Sequence, residues 1–234
     1  MTTDPPPVSV PVPVPPSTAD APIRILIADD ESLVRSGLRV ILSAEPDLAV
    51  IGEAGTGAEA VALARSLRPD VVLTDVRMPA LDGIQAARRI LDAAGPAPAP
   101  RVVVITTFEN DDYVYDALLA GASGFLLKRS RPAEIVQAVR LAAVGDTLMF
   151  PEAVRELARR HRRRPEAVAE RLSEREREVL RLMAAGLENA EIAKEMFLGA
   201  QTVKTYVANI LAKLDARNRT HAVVIAYRSG FVNP

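Results

Sequence analysis

Between Ile23 and Val144, short aliphatic and β-branched runs alternate five times with longer segments of helical periodicity. The runs are Ile23 to Ala28, Leu48 to Glu53, Asp70 to Thr74, Arg101 to Thr106 and Gly124 to Leu127. Most are continuously apolar, which marks strands buried on both faces, and sheets covered by helices on both sides are parallel. The segments Ser32 to Ser43, Gly57 to Ser66, Gly83 to Ala93, Asp111 to Ala120 and Pro132 to Ala143 read as helices. In the first, Leu33, Leu38, Ile41 and Leu42 form the expected inward side. Pro132 suits a first helical turn, and Gly145 suits a stop. This half of the chain is therefore expected to form a five-stranded, parallel, doubly wound α/β sheet.

The ends of these strands carry the chemistry. Open parallel sheets place their sites at the carboxyl edge of the strands. There the first run ends on Asp29-Asp30-Glu31, the third on Asp75, the fourth on Thr106, and the fifth is followed by Lys128. Two strands that finish on acids form a negative pocket that suits a hard cation such as Mg²⁺, which takes one or two carboxylates with waters and phosphate oxygens. A carboxylate can attack phosphorus only when the donor's charge is neutralised. A cation and a lysine ammonium do this, and a hydroxyl such as that of Thr106 can bond a phosphoryl oxygen. Each residue alone has an ordinary explanation as a turn, cap, strand or surface residue. The four positions in sequential order point to one phosphoryl-accepting site.

After Gly145 the strands end. Glu152 to Arg164 reads as a linker helix with the basic cluster Arg159 to Arg164, for which a solvated helix end is the default reading. Ser173 and Glu176 form a capping box that opens a helix through Ala185. Asn189 caps a short helix to Met196, Ala200 to Leu214 forms a third helix, and Arg219 to Ser229 a fourth. Val203, Val207, Ile210, Leu211 and Leu214 share one face of the third helix. Its other face, with Gln201, Lys204, Thr205, Ala208 and Ala212, is small and polar, as a major-groove helix requires. The strand-bearing half carries 13 basic against 16 acidic residues, and residues 171–234 carry 10 against 7. The excess is modest, but its sign suits different partners for each half. Residues 1–21 are rich in Pro and Val and are expected to be a disordered tail. There is no cysteine, which excludes disulfides and thiolate metal sites and fits a reducing cytoplasm. No apolar stretch approaches the length of a membrane span.

The motifs ILIADDE, LTDVRMPALDG, VVVITTF and GASGFLLK resemble the receiver domain of bacterial two-component response regulators, which has the flavodoxin-like fold. The segment from Leu172 to Gly230 resembles the LuxR-type helix-turn-helix domain, and together they resemble the NarL/FixJ type. The resemblance implies that a sensor histidine kinase phosphorylates Asp75. It implies Mg²⁺ held by Asp29, Asp30, Asp75 and the Arg77 backbone carbonyl. Thr106 becomes the switch hydroxyl, Phe125 the switch aromatic, and Lys128 the partner of the phosphoryl group. Ala200 to Leu214 becomes the recognition helix. Lys204, Thr205 and Ala208 match its base-facing positions. Gln201, Thr202 and Asn209 suit flanking or phosphate contacts, with Arg217 and Arg219 adding backbone charge. Arg129, Tyr206 and Gly199 depart from frequent family residues.

The division expected is a tail over 1–21, a receiver domain over 22–144, a linker over 145–170 and a four-helix DNA-binding domain over 171–234. The function expected is a cytoplasmic transcription regulator that pairs on two-fold double-stranded DNA when phosphorylated, and not a turnover enzyme. A phosphohydrolase is disfavoured because Arg77 stands where a second carboxylate is needed. The remaining alternative is a phosphorylation-independent DNA binder that uses the receiver as a dimer scaffold.

Overall fold

The computed structural model describes residues 21–93, 99–107, 111–145, 154 and 168–233. The expected tail and the Arg159 to Arg164 cluster lie outside the described residues. So does the expected linker helix, apart from Val154, which is helical and buried.

Five strands, β1 (Ile23–Ala28), β2 (Leu48–Ala54), β3 (Val71–Asp75), β4 (Arg101–Thr106) and β5 (Gly124–Leu127), form one parallel sheet in the order β2-β1-β3-β4-β5. Five helices alternate with them: α1 (Ser32–Ser43), α2 (Gly57–Leu67), α3 (Gly83–Asp92), α4 (Asp111–Leu119) and α5 (Pro132–Val144). Strand alternation divides the core. Ile25, Ile27, Leu73, Val103 and Ile105 pack under α1 and α5, whereas Leu26, Val72 and Val102 pack under α2 and α3.

The inward stripe of α1 differs from expectation by one residue. Leu33 is 84% exposed, and the stripe begins at Val34 and continues through Leu38, Ile41 and Leu42. These positions follow the 3.6-residue period, and Leu33 lies about 140° around the wheel from Leu38.

The chain order reverses between β1 and β3, the two central strands that end on acids. At such a switch point the connections leave in opposite directions and open a crevice at the carboxyl edge. The loop after β3 folds tightly over this crevice. The Gly83 N–H donates to the Val76 carbonyl at 2.9 Å, and a Cβ at Gly83 would overlap the Asp75 carbonyl. Asp82 then caps α3 by accepting from the Gln85 N–H at 2.7 Å.

The carboxyl-terminal part is helical: a short α6 (Val168–Arg171), then α7 (Glu174–Ala184), α8 (Asn189–Glu195), α9 (Ala200–Leu214) and α10 (Arg219–Arg228). Ser173 and Glu176 cap α7 reciprocally, as the sequence predicts. Glu176 is buried and also binds the Lys213 ammonium at 2.7 Å, tying the start of α7 to the end of α9. The N-cap of α8 is Glu188, not Asn189. Asn189 is buried, and its side-chain oxygen accepts from the Arg219 guanidinium at 2.9 Å.

The two parts are docked. One apolar cluster takes in Val114, Ala117, Leu118 and Ala122 beside α4, and Val223, Val224 and Tyr227 of α10. Among the described residues, three polar contacts border it. The Asn218 amide donates to the Gly121 carbonyl at 2.6 Å, the Thr220 hydroxyl donates to the Ser123 carbonyl at 2.8 Å, and Arg217 pairs with Asp92 at 2.6 Å. Gly121, at φ +99°, lets Arg217 lie directly over the chain, where a Cβ would collide with it.

Candidate phosphoryl site and nucleic-acid interface

The crevice gathers the expected residues from four strand ends. Asp29 and Asp75 are buried at the ends of β1 and β3, and Asp30 is exposed beside them. Oxygens of all three lie within 4.8 Å of one another. Lys128, just after β5, reaches back across the crevice. Its ammonium lies 2.8 Å from Asp29, 2.9 Å from Asp75 and 3.0 Å from Glu31. Lys128 is itself anchored, because its backbone N–H donates to the Thr106 carbonyl at 2.8 Å. Thr106 is buried at the end of β4, and Phe125 is half-buried in β5. Arg77 is exposed, and its guanidinium lies 5.5 Å from the centre of the Tyr113 ring. The Arg77 and Asp30 positions line a cavity of about 310 Å³ with Met78, Asp82 and Tyr113.

The electrostatics follow from burial. Burial raises the Asp75 carboxyl above its ordinary value, opposed by the Lys128 ammonium, with Asp29 adding to the rise. Burial alone would lower Lys128, but the close carboxylates of Asp29, Asp75 and Glu31 outweigh it and raise the ammonium well above its ordinary value. Asp29 Oδ2 is fully buried and makes no hydrogen bond of good geometry, so the nearby ammonium charge is what balances it. A site with a concentrated negative charge and an oxygen of this kind fits a hard, oxygen-seeking cation.

Six of the expected DNA contacts stand on one open helix surface. Gln201, Thr202, Lys204, Thr205, Ala208 and Asn209 of α9 are all exposed, while Val203, Ile210 and Leu214 are buried beneath. Gly199 occupies the N-cap without a side-chain bond. The other two expected contacts lie elsewhere. Arg217 is engaged by Asp92 of the first domain. Arg219 requires a correction: it is 3% exposed, and its guanidinium donates to Asn189 Oδ1 and to the Leu187 carbonyl. It holds the helical domain together from inside and offers no surface to a phosphate. Sequence reasoning missed this, since an arginine at the first position of a helix carries no local mark of burial. It also missed the docking role of Asn218, although Asn before a helix does signal the cap observed here, with Asn218 accepting from the His221 N–H at 2.9 Å.

The fold and the two sites define a receiver-type phosphoryl domain joined to a helix-turn-helix reader. Residues 25–140 match the family of response regulator receiver domains, and residues 170–226 match the luxR family of bacterial regulatory proteins. The chain is 43% identical to the transcriptional regulatory protein YxjL of Bacillus subtilis, over 90% of this chain and 97% of that protein. It is also 43% identical to the transcriptional regulatory protein LiaR of the same organism, over 90% of this chain and all of LiaR. A solved receiver domain, that of NarL from Mycobacterium tuberculosis, superposes with a TM-score of 0.51 at 41% identity, covering 53% of this chain and 98% of that one. The chain belongs to the LuxR-type response regulators: it is a DNA-binding transcription regulator with a receiver domain. Among the described residues, no helix is long and apolar enough to cross a membrane.

Proposed function

We propose that Asp75 accepts a phosphoryl group from a sensor histidine kinase, and that this modification controls transcription by pairing two copies of the chain on two-fold double-stranded DNA in the cytoplasm. The observation that carries this reading is the convergence of Lys128 on Asp29 and Asp75 at the switch point of the sheet. One Asp75 oxygen attacks phosphorus, the bond from phosphorus to the donor histidine nitrogen breaks, and its electron pair leaves with that nitrogen. Thr106 donates a hydrogen bond to the transferred group, and Lys128 neutralises part of its charge. Asp29, Asp30, Asp75 and the Arg77 carbonyl are the residues that would hold Mg²⁺. A bound divalent cation supplies charge neutralisation for the phosphoryl oxygens. Slow hydrolysis of the acyl phosphate would return the chain to its resting state without making it a turnover enzyme.

The same account divides the chain into a receiver over 22–144, a linker over 145–170 and a reader over 171–234. The reader would place Lys204, Thr205 and Ala208 against base edges, with Gln201, Thr202, Asn209 and Arg217 flanking them. The docked contacts at Gly121, Ser123 and Asp92 give the receiver a direct hold on the reader, and Phe125 and Thr106 lie on the strands beside that hold. Phosphorylation shifts the docked population by the difference in its stabilisation of the two arrangements.

Incubation with Mg²⁺ and acetyl phosphate, followed by intact-mass measurement, tests the acceptor. One phosphoryl adduct is expected in wild-type protein and none in Asp75→Asn. An adduct of equal yield in Asp75→Asn would refute the assignment.

A further inference from the structure

Glu31 is the third carboxylate on Lys128, and the phosphoryl reading gives it no task. It stands at the N-cap of α1, yet its side chain makes no capping hydrogen bond. Instead its Oε1 reaches Lys128 Nζ at 3.0 Å, across 97 residues of sequence. Its own backbone is pinned over the site, because the Glu31 N–H donates to Asp29 Oδ1 at 2.9 Å. An ammonium has three N–H donors. Here three carboxylates surround it, all at 3.0 Å or less. Asp75 is the acceptor and Asp29 belongs to the cation site, so Glu31 is the partner that can leave without dismantling either. It is also the most exposed, at 60% against 1% for Asp29 and 9% for Asp75.

We propose that Glu31 is a positioning residue for phosphoryl acceptance, which holds Lys128 in the unphosphorylated state and competes with the phosphoryl group for its ammonium. A phosphoryl group on Asp75 needs a donor from Lys128. The bond to Glu31 favours the resting arrangement, and its negative charge opposes an incoming anionic donor. Both effects lower the phosphorylated fraction at a given donor concentration. The residue therefore sets how readily the switch responds. This inference rests on Asp75 being the acceptor.

The test compares wild type, Glu31→Gln and Glu31→Asp by intact mass, at saturating Mg²⁺ and sub-saturating acetyl phosphate. Glu31→Gln should raise the ratio of phosphorylated to free protein by about two- to five-fold, the range that a partly exposed ion pair supports. Glu31→Asp keeps the charge but withdraws the carboxylate by one methylene, and Asp is a good N-cap, so α1 remains intact. If the bond to Lys128 matters, Glu31→Asp should move in the same direction as Glu31→Gln. A ratio unchanged in Glu31→Gln overturns the proposal. So does a Glu31→Asp variant that matches wild type while Glu31→Gln rises, since the general field of the charge would then suffice. Absence of any adduct in wild type would overturn the acceptor assignment itself, and this proposal with it.

Discussion

At the residue scale, a buried arginine and a partly buried histidine of α10 set the conditions under which the reader domain folds. Arg219 brings a guanidinium into the interior, where an isolated charge is costly, and Asn189 and the Leu187 carbonyl receive it. Arg219→Ala leaves those acceptors unpaired and should destabilise the domain by about 2–3 kcal/mol in urea unfolding. The salt dependence of DNA binding by the folded fraction should not change, because this arginine reaches no phosphate.

His221 is kept neutral. Burial and the Arg217 charge lower its pKa from 6.5 to about 4, and its Nδ1 accepts from the Arg217 backbone N–H at 3.2 Å. Between these two values the unfolded chain binds a proton that the folded chain does not. The contribution of His221 to stability is therefore full above about pH 6.5 and is lost as the pH falls towards 4. The loss amounts to about 3 kcal/mol across the whole window. Denaturant melts at pH 7 and pH 4.5 should show it, and His221→Gln should flatten the pH dependence relative to wild type.

The convergence of Asp29, Asp75, Thr106 and Lys128 was legible residue by residue, because each sits at or just past the end of an apolar run and the parallel sheet aligns those ends. Glu31 was legible only as part of an acidic cluster. Its contact with Lys128 depends on how two loops meet across 97 residues, which no local pattern encodes.

At the scale of elements, the strands were the most readable features, since burial on both faces leaves an unbroken apolar run. Helix ends were readable where a cap marks them. Ser173 and Glu176 close their box as the spacing requires. Ser173→Ala should lower the stability of the reader by about 1 kcal/mol, measurable by thermal unfolding. Asn189 misled because its residue type signals a cap, whereas burial against Arg219 decides its place. Leu33 misled because hydrophobicity alone put it on the stripe, whereas the helical period begins that stripe at Val34. The apolar character of α10 has a related cause. Ala222, Val223, Val224, Ala226 and Tyr227 are all buried, and a helix that is apolar around its circumference needs cover on more than one side. Here the other reader helices supply one side and α4 supplies another.

At the scale of the whole molecule, docking leaves the surface of α9 open and occupies α10 and Arg217. In the proposed DNA complex, phosphates would compete with Asp92 for the Arg217 guanidinium. Thr220→Val combined with Asp92→Asn removes two of these polar contacts and touches neither the Asp75 crevice nor the α9 surface. The variant should show a larger radius of gyration in solution scattering, with both domains still folded by circular dichroism. An unchanged radius would mean that the apolar contact and the Asn218–Gly121 bond together hold the domains.

On the proposed function, phosphorylation of Asp75 reaches the reader through this docked face. Amide hydrogen exchange reads that face directly. Full-length protein with Mg²⁺ should be compared with and without acetyl phosphate, following the Gly121–Ser123 turn and α10, with Asp75→Asn as the control. The account predicts faster exchange in both segments on phosphorylation, and none of this change in Asp75→Asn. A phosphorylated protein whose exchange in both segments matches the resting protein would contradict it.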